Sequence, residues 1–420
     1  MTSKVKSIKR LIFLKDVLVI ALSAYGGPNM HLALYNKRLV EKKKYLESSE
    51  LLELYSLCQM LPGPSSTQTL VSIGYKFGGP FLAFLTLLVW MSPAVVILTI
   101  LAVAMGSFNE TLLHAMRYIQ PVAIAFVLTA GIKMFMKSVS TKLDYTLGIF
   151  AFVMTALLRH VLEDYVKTPW IFPFVLLVGG VVSYFFTSRK ELPYESLNIK
   201  VPWRYLIWFL ALFVVAGVVG NLSSSKLVLL FENNYRFGTL VFGGGNVLIP
   251  MMYEQFVNFN QYLSSDEFIT GIGLVQAVPG PIFTIASYTS ALAMKGQEIY
   301  MQVAGSAVGT VGIFLPGALL IFFVYPIWRQ IKTHPLVVKA LPGVIAASAG
   351  LVIAAAYLMF LPVGLNWVEP DTFYFTNLVD SQIANWDQIA IIFVTGIALF
   401  TTKISSPWYI VVALIAGIIL

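Results

Sequence analysis

Residues 59–68 read QMLPGPSSTQ, and residues 276–284 read QAVPGPIFT. Each stretch lies inside an otherwise apolar segment. Proline lacks a backbone N–H and disfavours helix at the residue before it, so Pro-Gly-Pro breaks a helix at 62–64 and again at 279–281. In lipid, the backbone groups freed by such a break cost several kcal/mol each unless protein or water satisfies them. The two breaks therefore predict buried, polar positions inside a membrane protein.

The composition of the 420 residues also predicts a membrane protein. Hydrophobic residues make up 58% and charged residues 11%, and the mean hydropathy is +0.80, whereas soluble domains carry about 25% charged residues. A water-soluble enzyme is therefore excluded. The excess of 28 Lys and Arg over 20 Asp and Glu reports loop orientation and does not indicate nucleic-acid binding. The single cysteine, Cys58, can form neither an intrachain disulfide nor a cysteine metal cluster.

Hydropathy predicts a series of membrane helices, since about 20 apolar residues span a bilayer. The N-terminus resembles a signal peptide, but its apolar run contains Lys15 and Asp16, so we expect it to stay in the cytoplasm. Other apolar stretches, interrupted by Gly, Pro or polar residues, lie at about 11–35, 51–76, 228–252 and 268–294. Runs near the spanning length lie at about 80–105, 117–136, 143–159, 170–187, 204–221, 300–327, 338–361, 385–402 and 406–420.

An internal repeat organises these segments. Residues 25–79 align with residues 242–296 without a gap at an offset of 217. The alignment pairs the two Pro-Gly-Pro sequences and two glycine-rich breaks, and Pro93 corresponds to Pro316 after a six-residue insertion. The glycine-rich breaks are Gly26-Gly27-Pro28-Asn29 and Gly243-Gly244-Gly245-Asn246. We predict a first repeat at 1–190, a connector with one transmembrane helix at 191–225, and a second repeat at 226–420.

Loop charge predicts that the two repeats have inverted topology. Basic residues cluster in the loops near 133–142 and 189–204 and after 327, whereas the segment 362–387 is acidic and lacks Lys and Arg. Successive loops lie on alternate sides of the membrane. Counting from these charged loops places each loop of the second half on the side opposite to the corresponding loop of the first half, as in many secondary transporters. The broken segments give nine crossings as re-entrant hairpins or thirteen as full spans. The basic stretch 37–44 favours hairpins, and both alternatives place the N-terminus inside and the C-terminus outside.

The breaks supply candidate anion-binding residues. The polar run after Pro64 suits the start of a new helix, whose N–H groups and dipole attract an anion. The alternatives are a packing kink at Pro-Gly-Pro and close helix packing at the glycine-rich breaks; two copies in register favour a site at Pro-Gly-Pro. Asn and Gln amides add uncharged donors that can release an oxyanion. The candidates are Asn29, Gln59, Pro62, Gly63, Pro64, Ser65, Ser66, Thr67, Gln68, Asn246, Gln276, Pro279, Gly280, Pro281 and Thr284.

Ionisable residues near the spans are candidates for charge or proton coupling. Each has a structural alternative: His31 as a hydrogen-bonded structural residue, Arg117 as a side chain reaching lipid headgroups, and Glu50 and Glu267 as helix caps. The chain lacks a G-x-x-x-x-G-K-[ST] phosphate loop and an H-E-x-x-H motif. We therefore expect no ATP hydrolysis, no enzymatic activity, no catalytic residue, no cofactor and no metal.

The motifs Tyr25–His31, Gln59–Gln68, Phe242–Asn246 and Gln276–Pro281 resemble the chromate ion transporter family in its long, two-domain form. The resemblance implies secondary active export of chromate, or of a similar tetrahedral oxyanion such as sulfate, across the bacterial cytoplasmic membrane. It implies the ion-motive force as the energy source. The implied partners are the oxyanion and the lipid bilayer, without nucleic acid, and a homodimer stays open. The alternative is a passive oxyanion channel or a non-transporting membrane sensor of the same fold.

Overall fold

The computed structural model describes residues 3–25, 27–105, 116–161, 171–187, 201–242, 245–328, 334–365, 385–402 and 404–419. All regular structure in these ranges is helical, which confirms the prediction of an all-α polytopic membrane protein. The first helices are α1 (Ser3–Ala21), α2 (Gly27–Tyr35), α3 (Ser48–Met60), α4 (Ser65–Met105), α5 (Ile119–Ser138), α6 (Lys142–Val161), α7 (Ile171–Phe186) and α8 (Trp203–Leu222). The second set comprises α9 (Lys226–Leu240), α10 (Gly245–Tyr253), α11 (Ser265–Ala277), α12 (Ile285–Ala293), α13 (Ile299–Val324), α14 (Pro335–Leu365), α15 (Trp386–Thr401) and α16 (Ser406–Ile419).

Among the described residues, 5 helices are long and apolar enough to cross a membrane: α4, α5, α8, α13 and α14. Their bounds lie within a few residues of the predicted runs, except for α4. This helix begins at Ser65 and joins the predicted run at 80–105 to the preceding broken segment through a kink at Gly78 and Gly79, whose backbone angles are not helical. The helices α2 and α3 are 9 and 13 residues long, shorter than the about 20 residues of a full crossing.

Local backbone geometry recurs at the offset of 217 found in the sequence. The bounds of α3 coincide with those of α11 after this shift, and π-helical turns occupy Asn36–Lys42 and Glu254–Phe259. Left-handed residues also fall in pairs, with φ of 51° at both Lys44 and Gln261. The shared geometry supports the predicted repeat, whereas the inverted orientation of the two copies stays a prediction.

Two sets of segments each form a densely packed unit. The first comprises residues 1–106, 187–248 and 278–341, and the second comprises residues 107–186, 249–277 and 342–420. Each unit takes segments from both halves of the sequence. A packed unit is therefore not the same as a sequence repeat, and the repeat boundaries at 190 and 226 stay a prediction.

The second unit is held by close helix packing through glycine. A Cβ built on Gly343 of α14 would lie 2.2 Å from the carbonyl oxygen of Gly179 in α7, and one built on Gly350 would lie 2.1 Å from that of Gly148 in α6. Both distances are below any real Cβ contact. Small residues thus allow α6 and α7 to approach α14 backbone to backbone, as membrane helices commonly do.

In the first unit, a buried carboxylate joins α1 to the first π-helical turn. The Asp16 side chain is 3% exposed; its Oδ1 lies 2.7 Å from a terminal nitrogen of Arg38, and Lys43 Nζ lies 3.4 Å from Oδ2. The Tyr45 hydroxyl donates to Asp16 Oδ2 at 2.8 Å. The basic stretch 37–44 therefore supplies intramolecular partners for Asp16 as well as loop charge.

We expect the variant Asp16→Asn to lower the free energy of unfolding by about 2 kcal/mol, because it removes charge-assisted hydrogen bonds from a buried group. The matched control is Asp387→Asn, which breaks the exposed ion pair of Asp387 with Arg117 and should cost less than about 1 kcal/mol. Thermal unfolding of the two detergent-solubilised variants measures the difference. Equal shifts in Tm would contradict a stabilising role for the buried contact.

Candidate functional site

Both Pro-Gly-Pro sequences break the helix as predicted, and each break is stabilised by the other half of the chain. Gly63 and Gly280 have φ of 111° and 143°, a left-handed conformation that glycine adopts without a Cβ clash. The Gly63 N–H donates to the Val241 carbonyl at 2.7 Å, and the Gly280 N–H donates to the Ala24 carbonyl at 2.9 Å. Because Ala24 and Val241 correspond at the offset of 217, the two hydrogen bonds are reciprocal.

The packing against these glycines is also reciprocal. A Cβ built on Gly63 would lie 3.5 Å from Gly317 Cα, and one built on Gly280 would lie 2.6 Å from Ala94 Cβ. Ala94 and Gly317 follow the paired prolines Pro93 and Pro316. Each break thus packs against a small residue of the other half. The packing is tighter at Gly280 than at Gly63.

A cavity lies between the two breaks, where several helices begin. The helix α2 begins at Gly27, α4 at Ser65 and α10 at Gly245, and a 3₁₀ turn at Ile282–Thr284 leads into α12. The cavity is lined by His31, Pro64, Ser65, Ser66, Gly245, Pro281, Ile282 and Phe283. A helix start presents N–H groups without intrahelical partners and the positive end of the helix dipole. The arrangement therefore favours an anion.

The lining carries no Lys, Arg, Asp or Glu, and none of α2, α4, α10 and α12 has an acidic residue in its first turn. The positive helix ends are therefore not neutralised by neighbouring carboxylates in those turns. The cavity volume is about 10 Å³, room for about one water molecule. A tetrahedral oxyanion is larger, so its binding requires the helix ends to move apart.

A second layer of side chains supports the first turn of α4. His31 Nδ1 lies 3.1 Å from Ser66 Oγ, and the Tyr35 hydroxyl donates to the Ser66 carbonyl at 3.2 Å. Trp90 Nε1 donates to Thr67 Oγ1 at 3.0 Å, and its ring meets His31 edge to face. His31 also contacts the backbone of Ala24, and Gln68 Oε1 is buried without a hydrogen-bond partner among the described residues.

Several other predicted residues stabilise the breaks themselves. Gln68 Nε2 donates to the Pro62 carbonyl at 2.8 Å, and Thr284 Oγ1 donates to the Pro281 carbonyl at 2.7 Å. Gln59 lies in the last turn of α3, interacts with Tyr55 and is not among the cavity-lining residues. Pro279 is buried at the second break. Gln276 lies near the end of α11 in the second unit, and the side chains of Asn29 and Asn246 lie outside the described residues.

The predicted coupling residues other than His31 have structural partners. Glu50 forms an ion pair with Lys76, and Arg117 lies 2.8 Å from Asp387. Ser264 Oγ accepts from the Glu267 N–H at 3.1 Å, while Glu267 Oε2 accepts from the Ser264 N–H at 2.8 Å. This reciprocal pair is a capping box. The helix-cap alternative for Glu267 is the one that its contacts favour.

Sequence reasoning missed Tyr35 and Trp90 as parts of the site. Tyr35 follows His31 by four residues and so shares its helix face. This spacing could have identified Tyr35 from the sequence. Trp90 lies in an apolar run, and no sequence pattern places its indole against Thr67. Ile282 and Phe283, the apolar residues that follow the second Pro-Gly-Pro, also line the cavity.

We expect Trp90→Phe to raise the KM for transport of the oxyanion that the sequence resemblance implies about fivefold, since it keeps the ring but removes the donor to Thr67, a hydrogen bond worth about 1 kcal/mol. Trp208→Phe is the matched control because Trp208 is exposed on α8. Transport kinetics of the two variants in proteoliposomes measure the effect. An unchanged KM in Trp90→Phe would show that the second layer does not position the first turn of α4.

Comparison with known proteins gives consistent matches along the chain. The family model described as chromate transporter matches residues 11–184 and 228–418. An uncharacterised transporter of Methanocaldococcus jannaschii is 25% identical, over 95% of this chain and 92% of the relative. A probable chromate transport protein of Synechococcus elongatus is 23% identical, over 96% and 93%, and a chromate transport protein of Cupriavidus metallidurans is 22% identical, over 80% and 79%. No solved structure matches.

Proposed function

The chain belongs to the chromate transporter family, and from this premise we propose that it is a secondary active transporter for chromate or a similar tetrahedral oxyanion such as sulfate. In this proposal it exports the anion across the cytoplasmic membrane and uses the ion-motive force. The observation that carries the proposal is the cavity at which α2, α4, α10 and the turn into α12 begin. Helix starts bind tetrahedral oxyanions through N–H groups in many proteins.

A neutral lining suits transport because capture must be followed by release. Helix dipoles and N–H groups attract a dianion without the tight pairing that a buried arginine would add. Ser65 and Ser66 add hydroxyl donors from the first half, whereas Ile282 and Phe283 contribute apolar surface from the second. We assign anion contact mainly to the first turn of α4, with His31 as the candidate proton-responsive group.

The small cavity favours a carrier over an open channel. With room for about one water, the site needs the breaks to separate before it accepts an oxyanion. The two reciprocal hydrogen bonds, from Gly63 to Val241 and from Gly280 to Ala24, are the contacts that such a movement would change. In a carrier with inverted repeats, breaking one while keeping the other would open the site to one side at a time.

Uptake of labelled chromate into inverted membrane vesicles tests the proposal. We expect uptake in energised vesicles, loss of uptake when an uncoupler collapses the gradient, and competition by sulfate. Vesicles containing the Gly280→Ala variant at equal protein level serve as the control. Uptake that persists with the uncoupler and follows the chromate gradient alone would indicate a channel, and an absence of uptake by folded protein would refute oxyanion transport.

A further inference from the structure

A second cavity in the first unit lies at the start of α9, beside the loop from α12 to α13. Its volume is about 230 Å³, so an oxyanion fits without rearrangement. Two lysines, Lys226 and Lys295, line it together with Ser225 and Gln297. Ala293 and Met294 are buried and form its apolar side. Two cations and two hydrogen-bonding side chains thus converge on one open cavity.

The electrostatics of this cavity favour an anion. Lys226 begins α9, which is not among the apolar spans, and burial together with the charge of Lys295 lowers the pKa of Lys226. The helix α9 has no acidic residue in its first turn, so its positive end is not neutralised there. Glu298, the N-cap residue of α13, is exposed and does not line the cavity.

We propose that this cavity, the Lys226–Lys295 pocket, binds a tetrahedral oxyanion, which is either the transported anion or the phosphate of a lipid headgroup. Lys226 and Lys295 place positive charge at the cavity, and Gln297 and Ser225 supply further donors. As a capture site for the transported anion, the pocket rests on the function proposed above. Binding of an oxyanion here does not depend on it.

The first half has a cation at the corresponding break. A Cβ built on Gly78 would lie 3.1 Å from Arg10 Nε, and Gly78 aligns with Lys295 at the offset of 217. A positive side chain therefore accompanies this helix break in both halves. If the repeats are inverted as predicted, the two basic positions face opposite sides of the membrane, one for each direction of access.

The test is protection of lysines from an amine-acetylating reagent in the purified full-length protein, quantified by peptide mass spectrometry. Sulfate at constant ionic strength should slow acetylation of Lys226 and Lys295 about threefold at about twice its Kd, because protection follows 1 + [L]/Kd. Lys142 is the internal control, since it also begins a helix and is exposed. A parallel arm replaces sulfate with dihexanoyl-phosphatidylglycerol.

Protection by sulfate supports a site for the free anion, and protection by the lipid alone assigns the pocket to a headgroup. Equal acetylation rates with and without both probes would overturn the proposal. Since the readout needs no transport, protection in a protein that fails the vesicle assay would support the pocket while refuting the transport function. In active protein, we expect K226Q/K295Q to raise the transport KM, and K226R/K295R to restore it.

Discussion

The variant Gly280→Ala should reduce chromate transport about tenfold or more, equivalent to at least about 1.4 kcal/mol in the transport barrier. An added Cβ would lie 2.6 Å from Ala94 Cβ, and the alanine would have to adopt the backbone angle φ of 143° that Gly280 has. The second break must then shift from Ala94, which weakens the hydrogen bond from Gly280 to Ala24. Transport rate per folded protein in proteoliposomes is the measurement.

Gly296→Ala is the matched control for Gly280→Ala. Gly296 has φ of 83°, yet a Cβ there meets nothing within 4 Å. Both substitutions carry the backbone cost of a left-handed alanine, of order 1 kcal/mol, and only Gly280→Ala adds the clash. If the two variants lose transport equally, the loss comes from backbone strain and not from the clash between the new Cβ and Ala94.

The variant Ser66→Asp should reduce chromate binding and transport about a hundredfold. Ser66 lines the cavity in the first turn of α4, where a carboxylate is attracted by the helix start and would occupy the place of the anion. Repulsion between this fixed charge and a dianion in a site of low dielectric constant adds to the effect. Initial uptake rates at several chromate concentrations measure it.

Ser66→Asn separates charge from size in this test. Asparagine has nearly the volume of aspartate and removes the same hydroxyl next to His31 Nδ1, but it carries no charge. We expect it to retain about a tenth or more of the wild-type rate, a loss in keeping with one hydrogen bond to the first turn. Similar losses in Ser66→Asn and Ser66→Asp would show that crowding, not anion competition, inactivates the site.

The sequence predicted the breaks and spans well because local chemistry determines them. A proline cannot donate a helical hydrogen bond wherever it lies, so the breaks at 62–64 and 279–281 follow from residue type alone. The apolar runs gave helix positions within a few residues, and the family resemblance is confirmed by the match over 11–184 and 228–418. The kink that joins both parts of α4 depends on the unusual angles of Gly78 and Gly79, which residue type permits but does not require.

Contacts distant in sequence could not be predicted in the same way. Arg117 pairs with Asp387, in a different predicted repeat, and the Trp90 indole donates to Thr67 from the other side of the kink in α4. The hydrogen bonds from Gly63 to Val241 and from Gly280 to Ala24 could not be predicted, because every residue has a backbone carbonyl and residue type does not show which one accepts. Alignment of the two halves shows which positions correspond, whereas pairing between them requires the fold.

Equilibrium binding of labelled chromate to purified protein addresses the site most directly. The experiment compares three proteins, one that keeps Ser66 and the variants Ser66→Asn and Ser66→Asp. All three carry the K226Q/K295Q background, so that the Lys226–Lys295 pocket contributes nothing. We expect binding that sulfate displaces in the protein with Ser66 and in Ser66→Asn, and no binding in Ser66→Asp. Undiminished binding by folded Ser66→Asp would contradict an anion site at the start of α4.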